Sequence, residues 1–486
     1  MLTIAVLADT HRSTAPLANR RRGEIAHVLL LRAVHRLNRS IRPDVTIIAG
    51  DILDAGQSSD ADNLLSEMAS ILGLIESPKI VLPGNHDCSV EKFEQFLGLC
   101  PQWLDVANVR FVPFLDQQMS GYNACRSEAD LERMAAARNG WPGELVTVQH
   151  VPLFPPGTHP CPYNYTNADA ILQVMDKQGY SLSVSGHYHH GMELMCQEGV
   201  HFMAAPALCD SPFGFSVLRI ENDGLSEQRH ALRMPDNLRL FDCHVHTPFA
   251  YCNENMQFST ALELGEAFGL GGLAFCEHSG QLYFGADDFW SGRFAQKGIL
   301  GADEADNRMS TYLQTALSRA TPSEVGLEVD CDFRGNPVLK EQDRSSVSLL
   351  IGSIHKLSEF GKPNPDRAVA CQEFLFMLER FLKSGIEVLA HPFRVFVRSK
   401  QEKPECLFEP TASLLRDNGV AAEINFHKNQ PPHAFVEMCL NMRVKLALGS
   451  DSHNLYEVGE FAPHLEFLEQ LGCLSQLESV LFRKQE

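Results

Sequence analysis

Twelve short apolar segments, most of them rich in β-branched residues, each run into Asp, Asn, Glu or His, and this punctuation constrains the fold more than any other feature of the chain. In the first half they are LTIAVLADTH, DVTIIAGD, KIVLPGNHD, LVTVQHVP and SLSVSGHYHH. In the second they are LRLFDCHVH, GLAFCEH, EVGLEVD, SLLIGSIH, IEVLAHP, VAAEIN and VKLALGSDSH. Helical stretches separate several of them, among them GEIAHVLLLRAVHRLNRS, NLLSEMASILGLIE, STALELGEAFG and AVACQEFLFMLERFLKSG. Strands alternating with helices predict an α/β fold with parallel strands, whose sites form at the strands' carboxyl ends. At 486 residues the chain is too long for one core, so two domains are expected, residues 1–233 and 238–486.

The apolar run LTIAVLA stops at Asp9, without a basic lead or a small-residue cleavage site, so neither a signal peptide nor a membrane span is expected. A cytoplasmic protein follows. Its fourteen cysteines show no CxxC spacing and read mostly as small buried hydrophobes. The formal charge of −20 disfavours a polyanionic partner such as nucleic acid, although bound divalent cations would cancel part of it. Nothing in the sequence sets the oligomeric state.

Asp9 and His11 are two apart, so in an extended segment both side chains point the same way. Gly50 lets the chain turn sharply, projecting Asp51 over the strand end; Asn85 offers an amide oxygen; His86 beside it is free to donate a proton. His150 follows alone, and His187 and His189 repeat the two-residue spacing. In order, DxH, GDxxD, GNHD, H and GHxH resemble the calcineurin-like metallophosphoesterase superfamily, with Asp54 completing GDxxD. That resemblance implies a four-layer α/β/β/α sandwich with two metals bridged by Asp51. Asp9, His11 and His189 would hold one, Asn85, His150 and His187 the other, and His86 and Asp54 would belong to the catalytic set, His86 as general acid. Imidazole and carboxylate donors without thiolate suit Mn, Fe or Zn. The tail HFMAAPALCDSPFGFSVLRIENDG reads as two further strands with a turn at Asn222 to Gly224, and Arg20 to Arg22 either steer anions or form a solvated helix start.

In the second half the strand ends carry His244, His246, His278, Glu328, His355, His391, Asp451 and His453. These motifs resemble the polymerase and histidinol phosphatase (PHP) family, most of all its histidinol-phosphatase branch, which implies a distorted (β/α)7 barrel. Glu328 would bridge two metals, with His244, His246 and Asp451 on one, and His355 and His391 on the other. His278 and His453 would serve a third. The sequence departs from that branch at HTPFAYCNEN, where Cys252, Glu254 or no protein group completes the third site, so two or three ions (Zn, Mn or Fe) are expected. Arg394 and Lys356 are placed either to meet a substrate phosphate or to lie in solvent, and His427 either to line the barrel mouth or to be structural.

Both halves predict phosphate ester hydrolysis: a phosphodiesterase-type site first and a phosphomonoesterase-type site second, acting on small phosphorylated metabolites or nucleotides. A nuclease processing DNA or RNA ends and a non-catalytic, metal-bound phosphate sensor are the alternatives. Two long segments, 154–169 and 284–298, are rich in aromatic and polar groups and read as lids, while 400–410 reads as an exposed insertion.

Overall fold

A computed structural model of the chain describes residues 1–17, 21–222 and 224–484. They fall into two compact units, Met1–Arg233 and Met234–Glu486. Arg20 and Asp223 lie outside the described residues, and with them part of the expected arginine triplet and turn.

The first unit contains β1 (Leu2–Leu7), β2 (Val45–Ala49), β3 (Lys79–Leu82), β4 (Leu104–Val106), β5 (Val109–Pro113), β6 (Gln117–Gln118), β7 (Ala124–Cys125), β8 (Glu144–Val148), β9 (Tyr180–Ser185), β10 (Met192–Gln197), β11 (Val200–Ala204), β12 (Gly214–Glu221) and β13 (Gly224–Ala231). One sheet runs β13-β12-β1-β2-β3 and the other β10-β11-β9-β8-β5-β4; β6 and β7 form a ribbon. Strands β1, β2 and β3 are parallel, and β1 and β2 are buried along their whole length, as strands covered on both faces must be. The sheets share a core: Ile4, Val6 and Ile47 of one pack in a single cluster with Phe111, Val148 and Val184 of the other. Against the second sheet, Leu145, Tyr180 and Phe202 meet Met134 and Ile171 of the helices Glu128–Ala136 and Ala168–Gln178. Each such side chain contributes roughly 1.5–3 kcal/mol by leaving water.

Six strands of this unit went unread in the sequence: β4, β5, β6, β7, β10 and β13. Of these β13 is polar and, at the sheet edge, exposes most of its side chains. Its strand character comes from pairing with β12 from Gly214↔Ala231 to Glu221↔Gly224, not from an apolar face.

The second unit holds β14 (Phe241–Val245), β15 (Gly272–His278), β16 (Val325–Asp330), β17 (Leu349–Ser353), β18 (Val388–Leu389), β19 (Ala421–Asn425) and β20 (Leu446–Gly449), adjacent in chain order and all parallel. At the carboxyl end of β14 and just past β20, Asp451 N donates to His244 O (2.7 Å) and His246 N to Ser452 O (3.1 Å), which nearly closes the sheet into a barrel. Cys243, Ala274, Cys276, Ile351, Val388, Ala421 and Ala447, drawn from six of its strands, touch one another, as only inward-facing residues of a closing sheet do. Segment 284–298 folds into two short helices, Ala286–Trp290 and Arg293–Lys297, because Phe289 and Phe294 stack at 4.9 Å. In 400–410, Leu407 and Phe408 are buried at the start of a helix, so this segment is only partly exposed. Among the described residues no helix is long and apolar enough to cross a membrane.

Candidate metal centres

At the carboxyl ends of β1, β2, β8 and β9 the first unit gathers a ring of donor atoms. Asp51 Oδ2 lies 3.5 Å from His11 Nε2 and 3.4 Å from His150 Nε2, between the two imidazoles. On one side His11 Nε2 is 3.1 Å from His189 Nε2, with Asp9 Oδ1 4.0 Å from the latter. On the other, His150 Nε2 is 3.1 Å from both Asn85 Oδ1 and His187 Nδ1.

The last contact tests whether cations fit. His150 Nδ1 donates to Ala49 O (2.6 Å) and His187 Nε2 to Tyr122 O (3.0 Å), which leaves two lone pairs facing each other across 3.1 Å. Positive charge must sit between them. In the bare protein a proton serves: against the cost of burial, Asp51 raises His150 to about 9, while burial and then His150 depress His187 to about 3. A divalent ion about 2.0–2.1 Å from each nitrogen satisfies the same geometry. Asp9 Oδ1 is a further buried atom with no hydrogen bond. The backbone is bent to aim these groups: Asp9, His11, Asp51 and His187 all take positive φ (55°, 45°, 53° and 65°), at about 1–3 kcal/mol each.

The second unit repeats the plan around Glu328. Its Oε1 is 2.8 Å from His391 Nε2 and 3.2 Å from His355 Nε2; its Oε2 contacts His278 Nδ1 and lies 3.6 Å from His244 Nε2. Asp451 Oδ1 is 3.0 Å from His246 Nε2 and 3.7 Å from His244 Nε2. His246, His278 and His453 form a further group whose donor atoms lie within 4.8 Å of one another. His244 Nε2, His278 Nδ1, His355 Nε2 and Glu328 Oε2 are all buried without a hydrogen bond, converging on one space as cation ligands would. His391 and Asp451 again show positive φ, 29° and 54°.

Comparison with known proteins bears on the first unit. Residues 2–191 match the family described as Calcineurin-like phosphoesterase. The N-terminal unit carries a calcineurin-like phosphoesterase domain. Over 90 residues the chain is 29% identical to the glycerophosphodiester phosphodiesterase GpdQ of Enterobacter lignolyticus (strain SCF1), a stretch covering 17% of this chain and 31% of that protein. The chain thus spans about a third of that relative's length. Among solved structures, a dimetal phosphatase from Danio rerio is 17% identical (TM-score 0.41; 47% of this chain, 96% of that one), and purple acid phosphatase PPD1 from yellow lupin 14% identical (TM-score 0.31; 47% and 51%). The match to that family is confined to residues 2–191, and a calcineurin-like domain there fits the donor groups that His11, Asp51, His150, His187 and His189 bring together as possible metal ligands.

Within the calcineurin-like domain, His86 is half-buried at the rim; its Nδ1 donates to Asp54 O (2.8 Å), so its Nε2 is the atom left for a substrate. The Asp54 carboxylate instead faces His11 Nδ1 (3.2 Å) and Arg21 (3.4 Å), and His11 leads the contacts that lower its pKa. Arg22 pairs with Glu24. Two further carboxylates hold the site from behind. Asp210 Oδ2 fixes His189 through Nδ1 (2.8 Å), and Asp87, raised to about 7 by burial and by Asp51, accepts from Ile52 N, Leu53 N and Gly84 N. Gly84 is obligatory, since a Cβ there would lie 2.2 Å from Asp51 Oδ1. Arg21, Tyr122, Tyr163 and Tyr188 wall a cleft of about 670 Å³ over Asp51 and His86, so segment 154–169 covers the centre through Tyr163.

In the barrel, carboxylates also stand behind the ligands: Glu423 Oε1 on His244 Nδ1 (2.7 Å), Asp330 Oδ1 on His355 Nδ1 (2.7 Å) and Glu277 Oε1 near His246 Nδ1 (3.4 Å). Such pairs fix the ring and raise its basicity. The sequence places these residues inside the motifs CEH, GLEVD and EIN, where their neighbours drew attention first. Cys252 Sγ is 3.8 Å from His278 Nε2, beside the third group of histidines; burial pushes its thiol up to about 12. Glu254 is turned to Asn454 Nδ2 (2.9 Å). Arg394 is buried and paired with Asp451 Oδ2, so in this structure it braces a ligand and does not face solvent. Lys356 is half-buried with Nζ on Trp290 O (3.1 Å). His427 stacks on His453 (4.8 Å) and bonds Glu457 Oε1 (2.8 Å).

Proposed function

We propose that the chain is a bifunctional metal-dependent phosphoesterase. The calcineurin-like domain, a four-layer α/β/β/α sandwich in this reading, opens a phosphodiester. The barrel, read as a distorted (β/α)7 PHP domain, removes the phosphate from the resulting monoester. One observation supports this most: in each unit a single carboxylate, Asp51 or Glu328, lies between imidazoles from distant parts of the chain. Asp9, His11, Asp51, Asn85, His150, His187 and His189 would hold one set of cations, and His244, His246, Glu328, His355, His391 and Asp451 the other.

Divalent ions held there supply positive charge that neutralises the phosphoryl oxygens. The protein does the rest. Water's oxygen joins phosphorus as the P–O bond to the leaving group breaks; the water sheds one proton to solvent, and His86 gives its Nε2 proton to the departing alkoxide and regains one from solvent afterwards. Asp54 O keeps the ring turned for that transfer. The substrates are small phosphorylated metabolites or nucleotides; a net charge of −20 works against a long polyanion. Assays of diester and monoester hydrolysis by Asp51→Asn and Glu328→Gln test the division of labour. Each substitution should abolish one activity and spare the other; loss of both from either one contradicts it.

A further inference from the structure

A cleft of about 680 Å³ opens against His355, walled by the helices Ala286–Trp290 and Arg293–Lys297 and by the end of the short helix Arg394–Arg398. Its size suits a drug-sized or nucleotide-sized ligand. Arg293, Lys356 and Arg398 line it, and no Asp or Glu does among the described residues. In a chain carrying 61 acidic against 41 basic residues, such a surface needs a reason. Arg293 is paired with Asp288 (2.6 Å), but among the described residues the hydrogen bond of the Lys356 ammonium goes to the neutral Trp290 carbonyl and no ion pair holds it. Arg398 has no hydrogen bond or ion pair among the described residues, although the charges of Asp451 and Glu328 reach it from the neighbouring cluster. The Lys356 and Arg398 side chains both line this one cleft, next to His355. An anion seated there can meet both cations at once. Trp290, 47% exposed, and Phe360 add ring surface beside them.

We propose that this cleft binds a second anionic group, phosphate or carboxylate, on a flat-ringed phosphomonoester whose scissile phosphate sits at the Glu328 cluster. The scissile end rests on the barrel reading above; the anion site rests on Lys356 and Arg398. An amino-alcohol phosphate, whose ammonium would meet both cations, is a poor substrate for such a cleft.

Calorimetry of the full-length, metal-loaded protein with phenylphosphonate and 4-carboxyphenylphosphonate, neither of which is hydrolysed, tests the anion site. The carboxylate should tighten binding on the order of tenfold, the worth of a charge-assisted hydrogen bond. Lys356→Ala and Arg398→Ala should each shrink that ratio, and Arg398→Glu should remove it. Benzene-1,4-bisphosphonate in place of the carboxyl compound tells whether phosphate or carboxylate is preferred. Equal binding of phenylphosphonate and of both probes carrying a second anionic group by the parent protein, or a tenfold ratio that survives both alanine variants, overturns the proposal. Phosphate release from the matching phosphate esters is assayed in parallel. No release from any of them, with a binding ratio still sensitive to Lys356 and Arg398, would sink the barrel hydrolase and leave the anion site standing.

Discussion

Glu423 Oε1 lies 2.7 Å from His244 Nδ1, and Glu423 Oε2 accepts from His391 N at 2.6 Å, so one buried carboxylate orients a ligand side chain and the backbone of another. Buried itself, it aims His244 Nε2 at the space beside Glu328 and Asp451. Space for it is kept by Gly449, where a Cβ would sit 1.9 Å from Glu423 Oε1. Glu423→Gln should therefore weaken metal binding in the barrel by about 10- to 100-fold while leaving the calcineurin-like centre loaded. Competition with a chelator of known affinity reads both.

His86→Gln should slow hydrolysis of an alkyl diester by about 10²- to 10⁴-fold, the usual worth of a positioned acid. The same variant should lose far less on bis(p-nitrophenyl) phosphate, whose leaving group departs without a proton. Metal content should not change, and rates on the two substrates against bound metal check this.

Arg126 is fully buried, with Nε and Nη2 on Asp116 Oδ1 and Oδ2 (3.0 and 2.8 Å), and Tyr165 Oη donates to the same carboxylate (2.6 Å). Asp116→Ala strands a guanidinium in the core and should destabilise the unit by about 3–5 kcal/mol. The double change Arg126→Met with Asp116→Leu should recover much of that loss. Urea unfolding of the three proteins measures it.

His230 stacks on Phe215 at 5.1 Å, and burial, helped by Arg36, holds its pKa down at about 4. Unfolding returns it to about 6.5. Between those values the unfolded chain binds a proton that the folded one refuses, so stability falls as pH drops through this window and is unaffected above it. In His230→Gln the unfolding midpoint should fall less between neutral pH and about 4.5; thermal scans of both proteins across that range check it.

Much of the architecture is legible in the sequence because each strand that bears a ligand is an apolar run that ends abruptly. Asp9 with His11 and His187 with His189 show this directly: spacing of two on an extended segment is a local signal. The orienting carboxylates carry no such signal. Glu423 reaches His244 across 179 positions, and Asp210 reaches His189 through a loop after β11, so only the fold joins them. Arg394 was open to a phosphate or to solvent; three residues past His391 on a short helix, it turns inward to Asp451. β13 escaped notice for the opposite reason, since an edge strand paired by its backbone alone needs no apolar pattern.

Metal content of the purified full-length protein, measured beside Asp51→Asn and Glu328→Gln, bears most directly on two independent cation centres. The parent should carry divalent ions at both clusters, and each variant should lose its own cluster's metal while keeping the other's. A parent that takes up metal only in the calcineurin-like domain, with Glu328→Gln indistinguishable from it, would contradict the account.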